Sequence, residues 1–195
     1  KNLNLNFDHF FCSYQKRAIE TLSLILNTLR IKNNNVTKAW QLNERNYGNL
    51  TGLNKEEMKK TLGEKKVHEF RRSWNIKPEP LSKKSPYHPI NIETYNNVPK
   101  EKIPDCESLE DTYERVIQFY NKEVKNKIKD KNILISAHGN SIRALCKYLF
   151  KLDNNQISKL EIPTGNPLVI EFHDENNIKN CEYLDKDRAK NLLVF

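Results

Sequence analysis

The sequence predicts an α/β protein, a three-layer sandwich with a mostly parallel central sheet flanked by helices. Three observations support that class. Short apolar or aromatic runs at residues 7–13, 131–137 and 166–174 read as strands, and amphipathic helical patterns separate them. A chain of 195 residues, 37% of them hydrophobic, suits one domain with a real core. No internal repeat interrupts the alternation, so strands separated by helices imply the parallel arrangement.

The first run, "FDHFFCS", is aromatic-rich and ends at Ser13. "SYQKRAIETLSLILNTLR" follows with Ala18, Leu22, Ile25 and Leu29 on one face, so a helix is expected to open at a Ser13 cap. A polar turn and a brief strand at residues 36–40 come next. Two helices are expected in the less regular middle: "NKEEMKKTLG", capped by Asn54 and ended near Gly63, and "EKKVHEFRRSW". Residues 75–104 hold most of the prolines and are expected to form a long surface excursion over a functional face. Regularity returns with a long helix over 107–128, a buried strand at 131–137 and a helix over 140–152. A short helix at 154–162, a strand at 166–174 and a last helix over 184–193 complete the series.

The formal net charge of +8 invites an anionic partner. Runs such as "EKKVHEFRRS" and "KEVKNKIKDK" mix both signs, however, which is the pattern of solvated helix faces. No zinc-finger, RNP-like or helix-turn-helix signature accompanies the charge, so nucleic-acid binding is not expected. No apolar run reaches the roughly 20 residues of a spanning helix, and no leader pattern is seen, so no membrane association is expected. Cys12, Cys106, Cys146 and Cys181 lie far apart and form no metal-like pair. They read as reduced thiols of a cytosolic protein, and no metal site is expected.

Ligands of parallel sheets collect at the carboxyl ends of strands, where the following helices aim their amino ends. "LISAHGNSIRALCKYL" is such a joint. His138 should project into the crevice, and Gly139 removes a side chain that would hold an anion away from the backbone. Asn140 is a good cap for the next helix, whose free amides favour a phosphate or carboxylate. Arg143 can support either the site or the sheet beneath. Lys16 and Arg17 fall in the first turn after the first strand, where a cation opposes the helix dipole. A bound anion and plain solvent exposure would each account for them. "WQLNERNYGNLTGLNK" gathers Glu44, Arg45, Tyr47, Gly48, Gly52 and Lys55, a combination that suits an oxyanion site with a proton donor. Adjacent Arg71 and Arg72 point in different directions, so one can bind a ligand while the other makes an internal ion pair.

The segments "QKRAIETL", "WQLNERNYGNLTGLNK", "RRSWNIKPEP", "ESLEDT", "AHGNSIRALCKYL" and "IPTGNPLVIEF" together resemble the bisphosphoglycerate-dependent phosphoglycerate mutases of the histidine phosphatase superfamily. They run in family order and cover nearly the whole chain, and "LNERNYG" with "AHGNS" is the most specific pairing. The resemblance implies that Glu44 is the general acid and base at the substrate hydroxyl. It makes His138 the histidine that steadies the phosphoryl group in transit, and Arg17 the arginine on the transferring phosphate. Arg45, Tyr47, Lys55, Arg71 and Arg72 would hold the carboxylate and the non-reacting phosphate. Gly139 would give backbone access, and the backbone of Asn140 would face the phosphoryl group. The same resemblance implies glycolytic interconversion of 3-phosphoglycerate and 2-phosphoglycerate through a phosphohistidine in a phosphoglycerate mutase-like fold. It also implies 2,3-bisphosphoglycerate as the phosphoryl donor that primes the enzyme, no metal, small phosphoglycerates as partners, a homodimer or larger homo-oligomer, and a cytoplasmic location.

One departure matters. The nucleophile of the resembled family is the histidine of an "RHG" motif, and none of His9, His68, His88, His138 and His173 stands in such a motif. The four other than His138 read as structural or solvated. The expected organisation is one mutase-like domain over residues 1–195, with its opening strand and nucleophile loop lying before Lys1. As it stands, the chain alone is not expected to form the phosphoenzyme. Two alternatives are a catalytically inactive phosphoglycerate-binding or regulatory relative and a small-phosphoester histidine phosphatase; the "LNERNYG" loop argues against the phosphatase. Asn46 replaces a histidine common among relatives and Ala144 a glycine, and both are expected to be tolerated.

Overall fold

The computed structural model describes residues 6–32 and 35–189, with the side chain of Lys55 outside that set. Strand β1 (His9–Cys12) is the middle of a parallel sheet of order β2-β1-β3, with β2 at Val36–Lys38 and β3 at Ile133–Ser136. Alternation along β1 builds two of the cores. Phe10 and Cys12 pack with Leu22 and Leu26 of α1 (Lys16–Leu29) on one face. Phe11 faces the other way, into Ala39, Leu42, Phe119, Tyr120 and Val124. Each such buried Leu or Phe contributes about 1.5–3 kcal/mol, which fixes the layer order without help from the charged surface.

Helices α2 (Lys55–Leu62) and α3 (Glu64–Arg72) follow the expected punctuation. The Asn54 side chain accepts from the Glu56 amide at 2.8 Å, and Gly63 divides the two helices at φ +83°. Helix α4 (Leu109–Phe119) opens in a capping box in which Ser108 Oγ accepts from Asp111 N and Asp111 Oδ2 accepts from Ser108 N. It continues as a π turn through Val124. Helix α5 (Gly139–Leu149) lies against it, joined by α6 (Asn154–Lys159), around Leu109, Val116, Ala144, Cys146, Ile157 and Leu160. Ala144 is fully buried there, where a small residue with good helix propensity fits.

The excursion over 75–104 is built from short 3-10 turns at Pro89–Asn91, Glu93–Tyr95 and Lys100–Lys102. It is tied down at its ends, with Asn49 N donating to Glu79 O (2.9 Å) and Leu81 N to Asp105 O (3.0 Å). His88 is fully buried, and its Nδ1 accepts from Ile90 N at 3.1 Å. The ring proton therefore sits on Nε2, which donates to Asp105 at 3.0 Å. That histidine is structural, one of the two readings, structural or solvated, that its sequence context allowed.

Several expectations are corrected. The chain stays extended past Ser13, and Gln15 is the N-cap of α1, so the Ser13 hydroxyl is released for another partner. Asn140 is not a cap either: α5 starts one residue earlier, after an extended His138, and Ser141 Oγ accepts the His138 amide at 3.0 Å. The brief second strand stops at Lys38, and Trp40–Leu42 is a 3-10 turn. The run near residue 170 forms β4 (Leu168–Asp174), but it pairs antiparallel with β5 (Asn177–Tyr183) rather than joining the parallel sheet. Asp174 Oδ1 accepts from Asn176 N and Asn177 N and so closes the hairpin turn. Residues 184–189 are bends and turns in place of the start of a last helix, and 190–193 lie outside the described residues.

Candidate active site

The site forms where β1 and β3 end and α1 and α5 begin. His138, only 6% exposed, has both ring nitrogens engaged. Arg17 Nε donates to Nδ1 at 3.0 Å, and Nε2 lies 2.7 Å from Ser13 Oγ. A guanidinium can only donate, so Nδ1 is an acceptor and the neutral ring carries its proton on Nε2, aimed at Ser13 Oγ. Burial, then the Arg17 charge, then that of Arg115 push the His138 pKa down to about 3. The ring is neutral at pH 7 and can act as a hydrogen-bond donor.

A second cluster stands across the crevice. Glu44 Oε1 accepts from Arg45 N (2.8 Å), Asn140 Nδ2 (2.9 Å) and Asn140 N (3.3 Å). The other oxygen, Oε2, takes no hydrogen bond among the described residues; a Cβ placed on Gly139 would meet it at 4.0 Å. One carboxylate oxygen is thus locked and the other faces the joint. Asn140 Nδ2 also donates to Tyr47 Oη at 2.9 Å, and Asn140 Oδ1 accepts from Arg143 Nη1 at 3.0 Å. Arg143 Nη2 donates to Ile157 O at 2.5 Å, so this arginine serves the site and braces α6 at once.

Cations crowd this side. The Arg45 guanidinium lies 4.3 Å from the Tyr47 ring centre and that of Arg71 lies 5.5 Å from it. Arg72 pairs with Glu161, and Arg45 Nη2 donates to Phe70 O. Burial first, then the charges of Arg72 and Arg45, lower the Arg143 pKa to about 10. Arg45 is 2% exposed, yet among the described residues its Nε and Nη1 have no partner, nor does Nε of Arg143. Buried donors left unpaired cost free energy, and an anion with several oxygens would satisfy them.

Gln15 joins the clusters. Its Oε1 accepts from Glu44 N (3.1 Å) and Arg17 Nη2 (3.4 Å), and its Nε2 donates to Tyr95 Oη at 3.1 Å. Tyr95 belongs to the proline-rich excursion, which therefore does cover this face. Asn46 keeps the loop in place through Pro104 O (2.7 Å) and Gly48 N (2.9 Å), a structural duty that does not call for a histidine.

Of the residues singled out in the sequence, Arg17, Glu44, Arg45, Tyr47, Arg71, His138, Gly139 and Asn140 meet here. Arg72 faces Glu161, the internal pairing foreseen for one of the two adjacent arginines. The Lys55 side chain lies outside the described residues. Ser13 (as a partner of His138), Gln15, Tyr95, Glu107 and Arg115 were not foreseen. For Arg115 a signal existed: a charged residue on the inward face of a helix otherwise lined by Leu109, Thr112 and Val116. Among the described residues no group of three or more His, Cys, Asp or Glu could hold a metal, and no helix is long and apolar enough to cross a membrane.

Two linked clusters of cations around a neutral histidine, at the carboxyl ends of a parallel sheet, define an oxyanion-handling α/β protein. The profile of the histidine phosphatase superfamily (branch 1) matches residues 2–88 and 84–181. A 2,3-bisphosphoglycerate-dependent phosphoglycerate mutase of Pelagibacter ubique is 65% identical over 196 residues, covering 100% of this chain and 82% of the relative. A mutase of the same name from Hydrogenobaculum is 42% identical, covering 94% and 75%. Among solved structures, Bacillus stearothermophilus YhfR superposes with a TM-score of 0.63 at 15% identity, over 90% of this chain and 73% of that one, which shows a shared fold. The chain belongs to the histidine phosphatase superfamily and, within it, to the family of 2,3-bisphosphoglycerate-dependent phosphoglycerate mutases.

Proposed function

We propose that the protein interconverts 3-phosphoglycerate and 2-phosphoglycerate in glycolysis. The observation that carries this reading is Arg45, a buried guanidinium with two unpaired nitrogens beside a carboxylate whose free oxygen faces His138's joint. A phosphoglycerate offers carboxylate and phosphate oxygens to such donors and a hydroxyl to such a carboxylate.

In this reading Arg45 and Arg71, with Tyr47 and Lys55, receive the carboxylate and the phosphate that is not in transit. Arg72 belongs to the same group, its charge balanced by Glu161. Arg17 neutralises the phosphoryl group that moves and the neutral His138 turns its Nε2–H from Ser13 Oγ to donate to it, with the amide end of α5 at Gly139 and Asn140 behind it. Glu44 Oε2 takes the proton of the attacking hydroxyl and returns it to the departing one, while Oε1 keeps the carboxylate oriented. The unpaired donors of Arg45 and Arg143 also fit 2,3-bisphosphoglycerate, which when bound supplies the phosphoryl group for priming. No step needs a metal, because guanidinium groups supply the positive field. The same reading places the protein in the cytoplasm, as a homo-oligomer acting on small phosphoglycerates.

The test uses the product of the complete gene, since no histidine of this sequence stands in an "RHG" motif. Primed with 2,3-bisphosphoglycerate, it should form 2-phosphoglycerate from 3-phosphoglycerate far faster than it releases inorganic phosphate. Phosphate release as the dominant product would make it a phosphatase. Tight binding with no turnover would make it an inactive relative.

A further inference from the structure

Behind the loop that carries Glu44 and Arg45 lies an ion pair whose side chains are only 9% and 4% exposed, Arg115 of α4 and Glu107 just before it. Arg115 Nε and Nη2 donate to the two Glu107 carboxylate oxygens at 2.6 and 3.0 Å. The other contacts all go to the loop backbone. Arg115 Nη1 donates to Gln41 O (2.5 Å) and Asn43 O (3.0 Å), and Nη2 to Glu44 O (3.5 Å). Glu107 Oε2 accepts from Asn46 N at 2.8 Å, and Glu107 N donates to Asn46 O at 2.8 Å.

We infer that Arg115 and Glu107 are positioning residues for the chemistry at Glu44: together they grip the backbone on both sides of Glu44 and Arg45 and so fix where those side chains enter the crevice. The inference rests on the mutase reading of the site. Three features separate this role from generic stabilisation. A buried ion pair seldom improves on apolar packing in stability, so stability alone does not account for this one. Residues 41–46 have no strand ladder to satisfy and orient their backbone. Only a guanidinium, with five donors in a rigid fork, can hold a carboxylate and three carbonyls at once. The pair substitutes for a missing sheet under the residues that most need fixed geometry. Its charge is also felt in the crevice. Arg115 contributes to keeping His138 neutral, and the Glu107 carboxylate, overriding the burial that opposes the Arg115 charge, keeps that guanidinium above its ordinary pKa.

The experiment is a double-mutant cycle between Arg115→Lys and Glu44→Gln in the product of the complete gene. Lysine keeps the charge opposite Glu107 but cannot reach the three carbonyls. Arg115→Lys should remain folded by circular dichroism and lower kcat roughly tenfold to a hundredfold, the scale expected of a small misplacement. Because it acts through Glu44, it should add no more than about a twofold loss when Glu44→Gln is already present. Wild-type kcat in Arg115→Lys, or losses that multiply in the double variant, would overturn the positioning role alone. Wild-type turnover in Glu44→Gln by itself would instead remove the mutase reading, and this inference with it. Should Arg115→Lys fail to fold, Glu107→Gln takes its place. It keeps the volume but turns an amide NH2 toward donors that now meet a carboxylate oxygen, either Arg115 Nε or the pair Arg115 Nη2 and Asn46 N, and it should show the same non-additive loss.

Discussion

His138 Nε2 and Ser13 Oγ lie 2.7 Å apart although 125 residues separate them, and both are buried. The contact joins the ends of two neighbouring parallel strands. With Arg17 donating to Nδ1 from the other side, it leaves the ring one tautomer and no room for a second proton.

A pH dependence of stability follows. The His138 pKa falls from 6.5 in the unfolded chain to about 3 in the fold. The native state therefore binds fewer protons than the unfolded one between those values. The stability that a neutral ring permits is present above pH 6.5 and is lost as pH falls toward 3, by about 1.4 kcal/mol per unit. Urea unfolding at pH 7, 6 and 5 should show wild type losing stability more steeply than His138→Gln by about that slope. Parallel pH profiles would contradict the assigned tautomer and its burial.

Arg45 makes an opposite prediction for ligand-free and ligand-bound protein. Its two unpaired, buried nitrogens should cost the free protein stability. Arg45→Met should therefore be no less stable than wild type without ligand. In 3-phosphoglycerate at a hundredfold above its wild-type dissociation constant, wild type should gain about 2.7 kcal/mol and the variant almost none. Thermal unfolding with and without ligand reads the difference.

Gly48 and Gly63 should respond differently to alanine. Gly48 sits at φ +56°, and an added Cβ would fall 2.2 Å from Glu79 O and 2.9 Å from Cys106 Sγ. Gly63, at φ +83°, has nothing within 4 Å of that position. Gly63→Ala should cost about 1–3 kcal/mol from the backbone alone, because φ +83° with ψ +148° lies in an extended positive-φ region that is essentially restricted to glycine. Gly48→Ala should cost more, since it also forces the excursion away from the loop and strains the Asn49 to Glu79 hydrogen bond. Chemical unfolding of the two variants decides this.

Much of the fold was legible because local signals and burial agreed. The aromatic run of β1, the Asn54 cap and the Gly63 stop all did what their chemistry favours. The misplaced caps at Ser13 and Asn140 show the limit of such reading. Each polar side chain suited a helix start, but a tertiary partner, His138 for one and Glu44 with Tyr47 for the other, took it instead. Strand β5, "NIKNCEY", is rich in residues that disfavour strands. Only its pairing with β4 and the burial of Tyr183 make it one. The residues at the heart of the site were visible as charged or polar groups at strand ends. Those that support them were harder to see: Arg115 shows in the sequence only as a charge on an inward helix face, and its carbonyl partners, like the Glu44 amide that Gln15 accepts from, come close only in the fold.

The central claim, that Glu44 and His138 carry phosphoryl transfer between phosphoglycerates, is tested most directly by kcat in the product of the complete gene. Glu44→Gln removes the proton acceptor and should lower kcat about 10²–10⁴-fold. His138→Ala removes a preorganised donor to the moving phosphoryl group and should lower it about 10²–10³-fold. Both variants should still bind 3-phosphoglycerate. Wild-type rates in both would contradict the account.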